Sequence, residues 1–363
     1  MIEYESLELS NRRFVAELRG AFDAVVAKGW YVLGQQVADF EREFAAYVGG
    51  AHGIGVANGL DALILSLKAL DLPAGSEVLV ASNTYIATIL AVVHAGHRPV
   101  LVEPDLRTYN IDPARLAAAL TSQTRAICLT HLYGKACRMD AIMPFAREHG
   151  LAVVEDCAQS HGATLQGQAT GSFGNAGCFS FYPTKNLGAL GDAGAVVTSD
   201  AALAERLRHL RNYGSLQKYV NVHVGFNSRL DEMQAAFLRI KLRHLDEITV
   251  HKRRLAELYF EGLPKQLVLP LREADAHDVF HIFAVRCPQR DALRAFLLAA
   301  GIKTEIHYPI APHRQQAMRG ILAGEYPIAD EIHTTELSLP ISYGTTADEV
   351  VQVCAEVRRF FTA

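Results

Sequence analysis

From residue 53 onward, short apolar runs alternate with stretches whose apolar residues recur every three or four positions. The runs at 53–57, 77–81, 99–103, 125–130 and 151–155 are rich in Val, Ile, Leu and Ala and short enough to be buried strands. Helical spacing occupies 60–70, 85–95, 113–120 and 139–149 between them. This alternation predicts βα units and a largely parallel sheet covered on both faces. Two further strand-like runs follow at 176–181 and 193–198, then a long helical pattern over 229–244 that resumes at 250–260. Beyond it the character changes: 279–286 and 302–306 read as strands, 291–299 and 348–360 as helices. The reading is an α/β protein with a large domain over 1–248 and a smaller α+β domain over 249–363.

Composition narrows the class. At 363 residues, with 50% hydrophobic and 20% charged, the chain suits one large domain plus a smaller one and does not suit disorder. The formal charge of −4, from 35 basic and 39 acidic residues, offers no basic surface for nucleic acid. No apolar stretch approaches the roughly 20 residues needed to span a bilayer. The start, Met1-Ile2-Glu3-Tyr4-Glu5, lacks the basic and apolar regions of a signal peptide. Six scattered cysteines without a CxxC pair read as reduced thiols, with neither disulfide framework nor metal site. A cytoplasmic enzyme is expected.

The candidate chemistry gathers near one lysine. Lys185 follows the apolar run Gly177–Ser180 and the turn Tyr182-Pro183-Thr184, and Asp156 closes the run Val153-Val154-Glu155. A lysine amine forms a Schiff base with an aldehyde cofactor, and an aspartate at a strand end holds a protonated pyridine nitrogen. The pair is the signature of pyridoxal phosphate (PLP). Asn58-Gly59-Leu60-Asp61 follows a strand and opens a helix, where first-turn N–H groups receive a phosphate, although an ordinary capped helix start has the same look. Tyr85 offers a ring to cover a flat heterocycle or to fill a core. Gln159 can donate to a ring oxygen, and Ser180 can place its hydroxyl on the phosphate.

These segments, together with Gly29-Trp30-Tyr31 and Asn227-Ser228-Arg229-Leu230-Asp231, resemble the DegT/DnrJ/EryC1/StrS sugar-nucleotide aminotransferases from about Gly29 to the C-terminus. The resemblance implies PLP-dependent fold type I, the aspartate aminotransferase-like fold. It implies that Lys185 carries the cofactor and shuttles the proton, and that Asp156 pairs with the pyridinium. Gln159 would meet the ring oxygen, Ser180 with the Gly59 and Leu60 amides the phosphate, and Tyr85 the ring face. Asn227 would reach the phosphate of the neighbouring subunit, implying a homodimer with shared active sites. Many members have Thr where this chain has Leu60, so one phosphate-binding hydroxyl is missing.

Leu60, with the segments 83–88, 131–134 and 211–214, further resembles the subgroup acting at sugar C3. The implied reaction moves an amino group from L-glutamate to a dTDP-3-keto-6-deoxyhexose. Substrate-side residues map to Tyr182, His307, Tyr308 and, from the partner chain, Lys218. Arg229 is a further candidate for anionic groups. Amination at C4 of a UDP- or GDP-linked sugar is the nearest alternative, weakened by Tyr182 and Leu187-Gly188-Ala189-Leu190. Sugar dehydration is opposed by Lys185 itself. A non-catalytic sensor of a sugar or PLP would leave the lysine–aspartate pair idle.

Overall fold

A computed structural model describes residues 1–362 of the chain. Seven strands form the central sheet: β1 (His52–Val56), β2 (Glu77–Ala81), β3 (Arg98–Val102), β4 (Thr124–Thr130), β5 (Ala152–Asp156), β6 (Ala176–Ser180) and β7 (Gly194–Thr198). They lie in the order β3-β2-β4-β5-β6-β7-β1. β2 through β6 pair in parallel, as the alternation predicts, whereas β7 runs antiparallel to both β6 and β1. The reversal has a local cause. Residues 181–193 hold no crossover helix, so the chain turns back at the end of β6. Phe181 N–H donates to Ala193 O and Ala189 N–H to Phe181 O, both at 2.8 Å, and Lys185 sits on the loop that these bonds close.

Helices cover both faces. Gly59–Ala69, Ile86–His94 and Ala201–Leu210 pack Leu63, Leu65, Ile89 and Leu207 against one face. On the other, the helix Gln35–Val48 sets Phe40 and Phe44 edge-on to Phe181 and Phe179, with Phe44 and Phe179 ring centres 4.8 Å apart. A separate apolar cluster joins Leu255, Tyr259, Phe283, Leu293 and Val353 with Ile2 from the start of the chain. Residue 248 falls inside the helix Leu245–Gly262.

Three elements differ from the pattern reading. Residues 113–120 form two 3-10 turns, Pro113–Arg115 and Ala117–Ala119, because Leu116 alone is buried there and cannot hold a full helix by packing. Residues 302–306 are not a strand. They make only isolated bridges, Ile302 to Ile2 and Glu305 to Ser338. The run 279–286 shortens to β8 (Phe283–Arg286), paired antiparallel with β9 (Glu336–Leu339). All six cysteines are buried and free. Among the described residues, no helix is long and apolar enough to cross a membrane.

Candidate active site

The carboxyl ends of β4, β5 and β6 and the turn after β1 converge on a cavity of about 420 Å³, where open α/β sheets bind ligands. It is lined by Gly59, Leu60, Tyr85, Asp156, Gln159, Ser180, Tyr182, Lys185, His307 and Tyr308. These residues come from segments up to 249 positions apart in sequence, His307 and Tyr308 from the C-terminal third.

Asp156 is buried at the tip of β5. Its Oδ2 accepts from Thr88 Oγ1 at 2.8 Å and its Oδ1 from Ala158 N–H at 3.1 Å. Thr88 belongs to a hydroxyl cluster with Thr84 and Thr130, at 2.9 and 3.1 Å. Burial raises the Asp156 pKa, opposed by these hydrogen bonds and by the charge of Lys185. A cation beside the carboxylate would favour its ionised form, so the site suits a protonated ring nitrogen. Burial also lowers the Lys185 amine to about 8, with Asp156 acting against the shift. An amine in that range exchanges its proton near neutrality. Lys185 Nζ lies 3.4 Å from His281 Nε2, a cavity residue that no sequence motif marks.

The phosphate cradle is a matter of close approach. Asn58 Oδ1 caps the helix Gly59–Ala69 by accepting from Asp61 N–H at 2.8 Å, and the first N–H groups of a helix have no intrahelical acceptor. A Cβ on Gly59 would stand 2.5 Å from Ser180 Cβ, so only glycine lets the helix start meet Ser180. Tyr85 opens to the cavity, its ring 4.9 Å from that of Tyr308. Gln159 is held at both ends: Oε1 accepts from Tyr133 N–H at 2.7 Å, and Nε2 donates to Tyr308 Oη at 2.8 Å. The residues present therefore fit PLP: an aldehyde-reactive amine, a buried anion opposite it, a helix N-terminus and a ring wall.

Asn227, Arg229 and Lys218 lie elsewhere. Asn227 and Arg229 line a neighbouring cavity with Asp192, which borders both cavities, and Arg229 Nη1 donates to Asn212 Oδ1 at 2.9 Å. Lys218 is exposed in the turn between the short strands Ser215–Gln217 and Val220–Asn221, its ammonium 5.1 Å from the Tyr219 ring centre. Thr88, Thr130 and His281 were not singled out from sequence. Thr88 sits one helical turn beyond Tyr85, a spacing that could have suggested it.

An open sheet presenting a half-buried lysine and a buried aspartate to one cavity defines a cofactor-dependent enzyme. The chain belongs to the DegT/DnrJ/EryC1/StrS aminotransferase family, whose sequence model matches residues 13–358. It is 49% identical over 361 residues, 99% of each chain, to a dTDP-3-amino-3,6-dideoxy-alpha-D-galactopyranose transaminase of Aneurinibacillus thermoaerophilus. It is 45% identical over 330 residues, 91% of this chain and 89% of the relative, to a UDP-N-acetyl-3-dehydro-alpha-D-glucosamine 3-aminotransferase of Acidithiobacillus ferrooxidans. Among solved structures it superposes on DesV of S. venezuelae, crystallised in complex with a ketimine intermediate, with a TM-score of 0.96 and 45% identity over 98% of this chain and 97% of that one. The fold is that of the PLP-dependent fold type I aminotransferases.

Proposed function

We propose that the protein transfers the amino group of L-glutamate to C3 of a dTDP-linked 3-keto-6-deoxyhexose, with PLP as its cofactor, for deoxyamino-sugar synthesis. The observation that carries the reading is Lys185 facing Asp156 within one cavity at the strand ends. Bound there, PLP supplies an electrophilic aldehyde and a ring that stabilises a carbanion on the amino-bearing carbon. Asp156, fixed by Thr88 and Ala158, holds the ring nitrogen protonated. Lys185 Nζ moves the proton at the amino-bearing carbon, a general acid–base step suited to an amine near 8. Gly59, Leu60 and Ser180 bind the phosphate, Tyr85 covers the ring, and Gln159 orients its oxygen.

Tyr182, His307 and Tyr308 line the same cavity, and we assign them to the sugar. The relatives named above are alike in acting at C3 and differ in the nucleotide, so position is the better supported half of the substrate assignment. A homodimer completes the site, with Asn227 and Lys218 reaching the partner's cavity and Arg229 a candidate for anionic groups of the substrate. The boundary near 248 makes the chain a large cofactor-binding domain and a small one.

Product analysis by NMR tests the reading. With glutamate and both C4 epimers of the dTDP-3-keto sugar, a UDP-linked 3-keto sugar and a 4-keto control, C3-aminated dTDP product is expected. Amination of the 4-keto control alone would overturn it. Lys185→Ala should lose at least ~10²-fold in turnover while keeping its fold by circular dichroism.

A further inference from the structure

What His307 offers a sugar depends on which ring nitrogen holds its proton. Burial lowers its pKa to about 4, so the ring is neutral at pH 7 and carries one N–H. Nδ1 lies 2.8 Å from Ser338 Oγ. Ser338 Oγ in turn contacts Glu336 Oε1, and Glu336 Oε2 accepts the His307 backbone N–H at 2.7 Å. Glu336 and Ser338 stand two apart on β9, so both side chains leave the same face of the strand. Ser338 N–H donates to Glu305 O at 2.8 Å, which lays the segment leading to His307 beside them. Glu336 and Ser338 are fully buried.

A hydroxyl has one proton and donates in one direction. With Glu336 ionised, Ser338 donates to Oε1 and accepts from Nδ1–H, leaving Nε2 with a lone pair. With Glu336 protonated, the carboxyl donates to Ser338, Ser338 donates to Nδ1, and the ring proton is on Nε2. The states differ by one proton, taken up at Nε2 as the others shift along the chain. We propose that Glu336 and Ser338 are positioning residues that set whether His307 Nε2 donates to or accepts from a sugar in the cavity. The inference rests on the reading of that cavity as a sugar-nucleotide site.

A ketone oxygen has no proton and requires the donor form. Burial pushes Glu336 up to about 8, opposed by its contacts with Ser338 and the His307 N–H and by Arg290, so the donor form prevails at pH 7. The groups facing this carboxyl are His307, Arg290, Tyr4, Tyr109, Tyr133 and Tyr308. The four tyrosines are all raised by burial, so among the described residues Arg290 is the charged neighbour at pH 7. Lys185 bears on His307 from the cavity side and disfavours a charged ring.

The test is 15N NMR of histidine-labelled full-length protein, with His307 assigned by the signal lost in His307→Gln. Wild type should change from Nε2–H to Nδ1–H as pH rises through about 8. Glu336→Gln, whose amide donates to Ser338 at every pH, should hold Nε2–H throughout. The KM for the keto sugar should rise about tenfold across that range in wild type and stay within about twofold in Glu336→Gln. Ser338→Ala should lose the pH response of the tautomer. A wild-type tautomer that is unchanged across pH 8, or one that switches equally in Glu336→Gln, overturns the proposal. A tautomer that follows Glu336 in a protein that aminates no 3-keto sugar supports the relay and sinks the substrate reading alone.

Discussion

Glu155 and Asp156 are neighbours at the end of β5 and do unlike work, because a strand sends consecutive side chains to opposite faces. Glu155 accepts the N–H groups of Gly171, Phe173 and Gly174 at 2.7 to 2.8 Å and contacts His131 Nε2 at 2.9 Å. His131 and Cys157 lie close enough to it to suggest a metal site. A carboxylate with all four lone-pair positions engaged has none left for a cation, and the group instead anchors the loop before β6. Asp156 faces the cavity, where a cation beside it would favour its ionised form. The sequence shows two adjacent acids, and the strand's pleat decides which one lines the cavity. Lys185 carries the prediction at this scale. Its amine is the proton acceptor only when neutral, so the rate of the glutamate half-reaction should rise with pH through about 8 and then level off. Single-turnover kinetics across that range checks it; a rate flat from about pH 7 to about pH 9, roughly one unit either side of the transition, would remove Lys185 from the proton step.

At the scale of elements, the strands and helices of the βα half, 113–120 excepted, were legible because each carries its own periodicity. Elements with a weaker or partner-dependent pattern were not. The helix Gln35–Val48 begins at Gly34 with no side-chain cap of its own. Its first N–H groups are satisfied from far along the chain: Glu232 accepts from Gly34 and Val37 through Oε1 at 2.9 and 2.8 Å, and from Gln36 through Oε2 at 3.0 Å. No local signal could reveal a cap 195 residues away. Glu232→Gln turns an amide N–H toward one of these donors and should cost about 1–3 kcal/mol, read as a lower denaturant midpoint with an unchanged slope. The strand expected over 302–306 failed for a related reason. That segment has partners at single positions only, Ile2 and Ser338, and two isolated bridges do not make a ladder.

For the whole molecule, the separation of Asn227, Arg229 and Lys218 from the Lys185 cavity is the informative fact. The segment that carries Lys218 also exposes Tyr219 by 87% and Val224 by 96%, apolar surface of the kind that marks an interaction site. If the sites are shared, Lys185→Ala and Asn227→Ala chains, each inactive alone, should recover about a quarter of wild-type activity when unfolded, mixed equally and refolded, because half the dimers carry one intact site. No recovery, with dimers present by sedimentation, would place Asn227 outside the partner's cavity.

The amino-acid sequence by itself determined the α/β class and the family and picked out Lys185 and Asp156 together, because these rest on periodicity and on residue types within short segments. The tertiary structure alone decided the reversed β7, the face on which Glu155 stands, and the placing of His281 beside Lys185. Those outcomes depend on hydrogen bonds and burial between residues far apart in the chain, and local pattern carries no record of them.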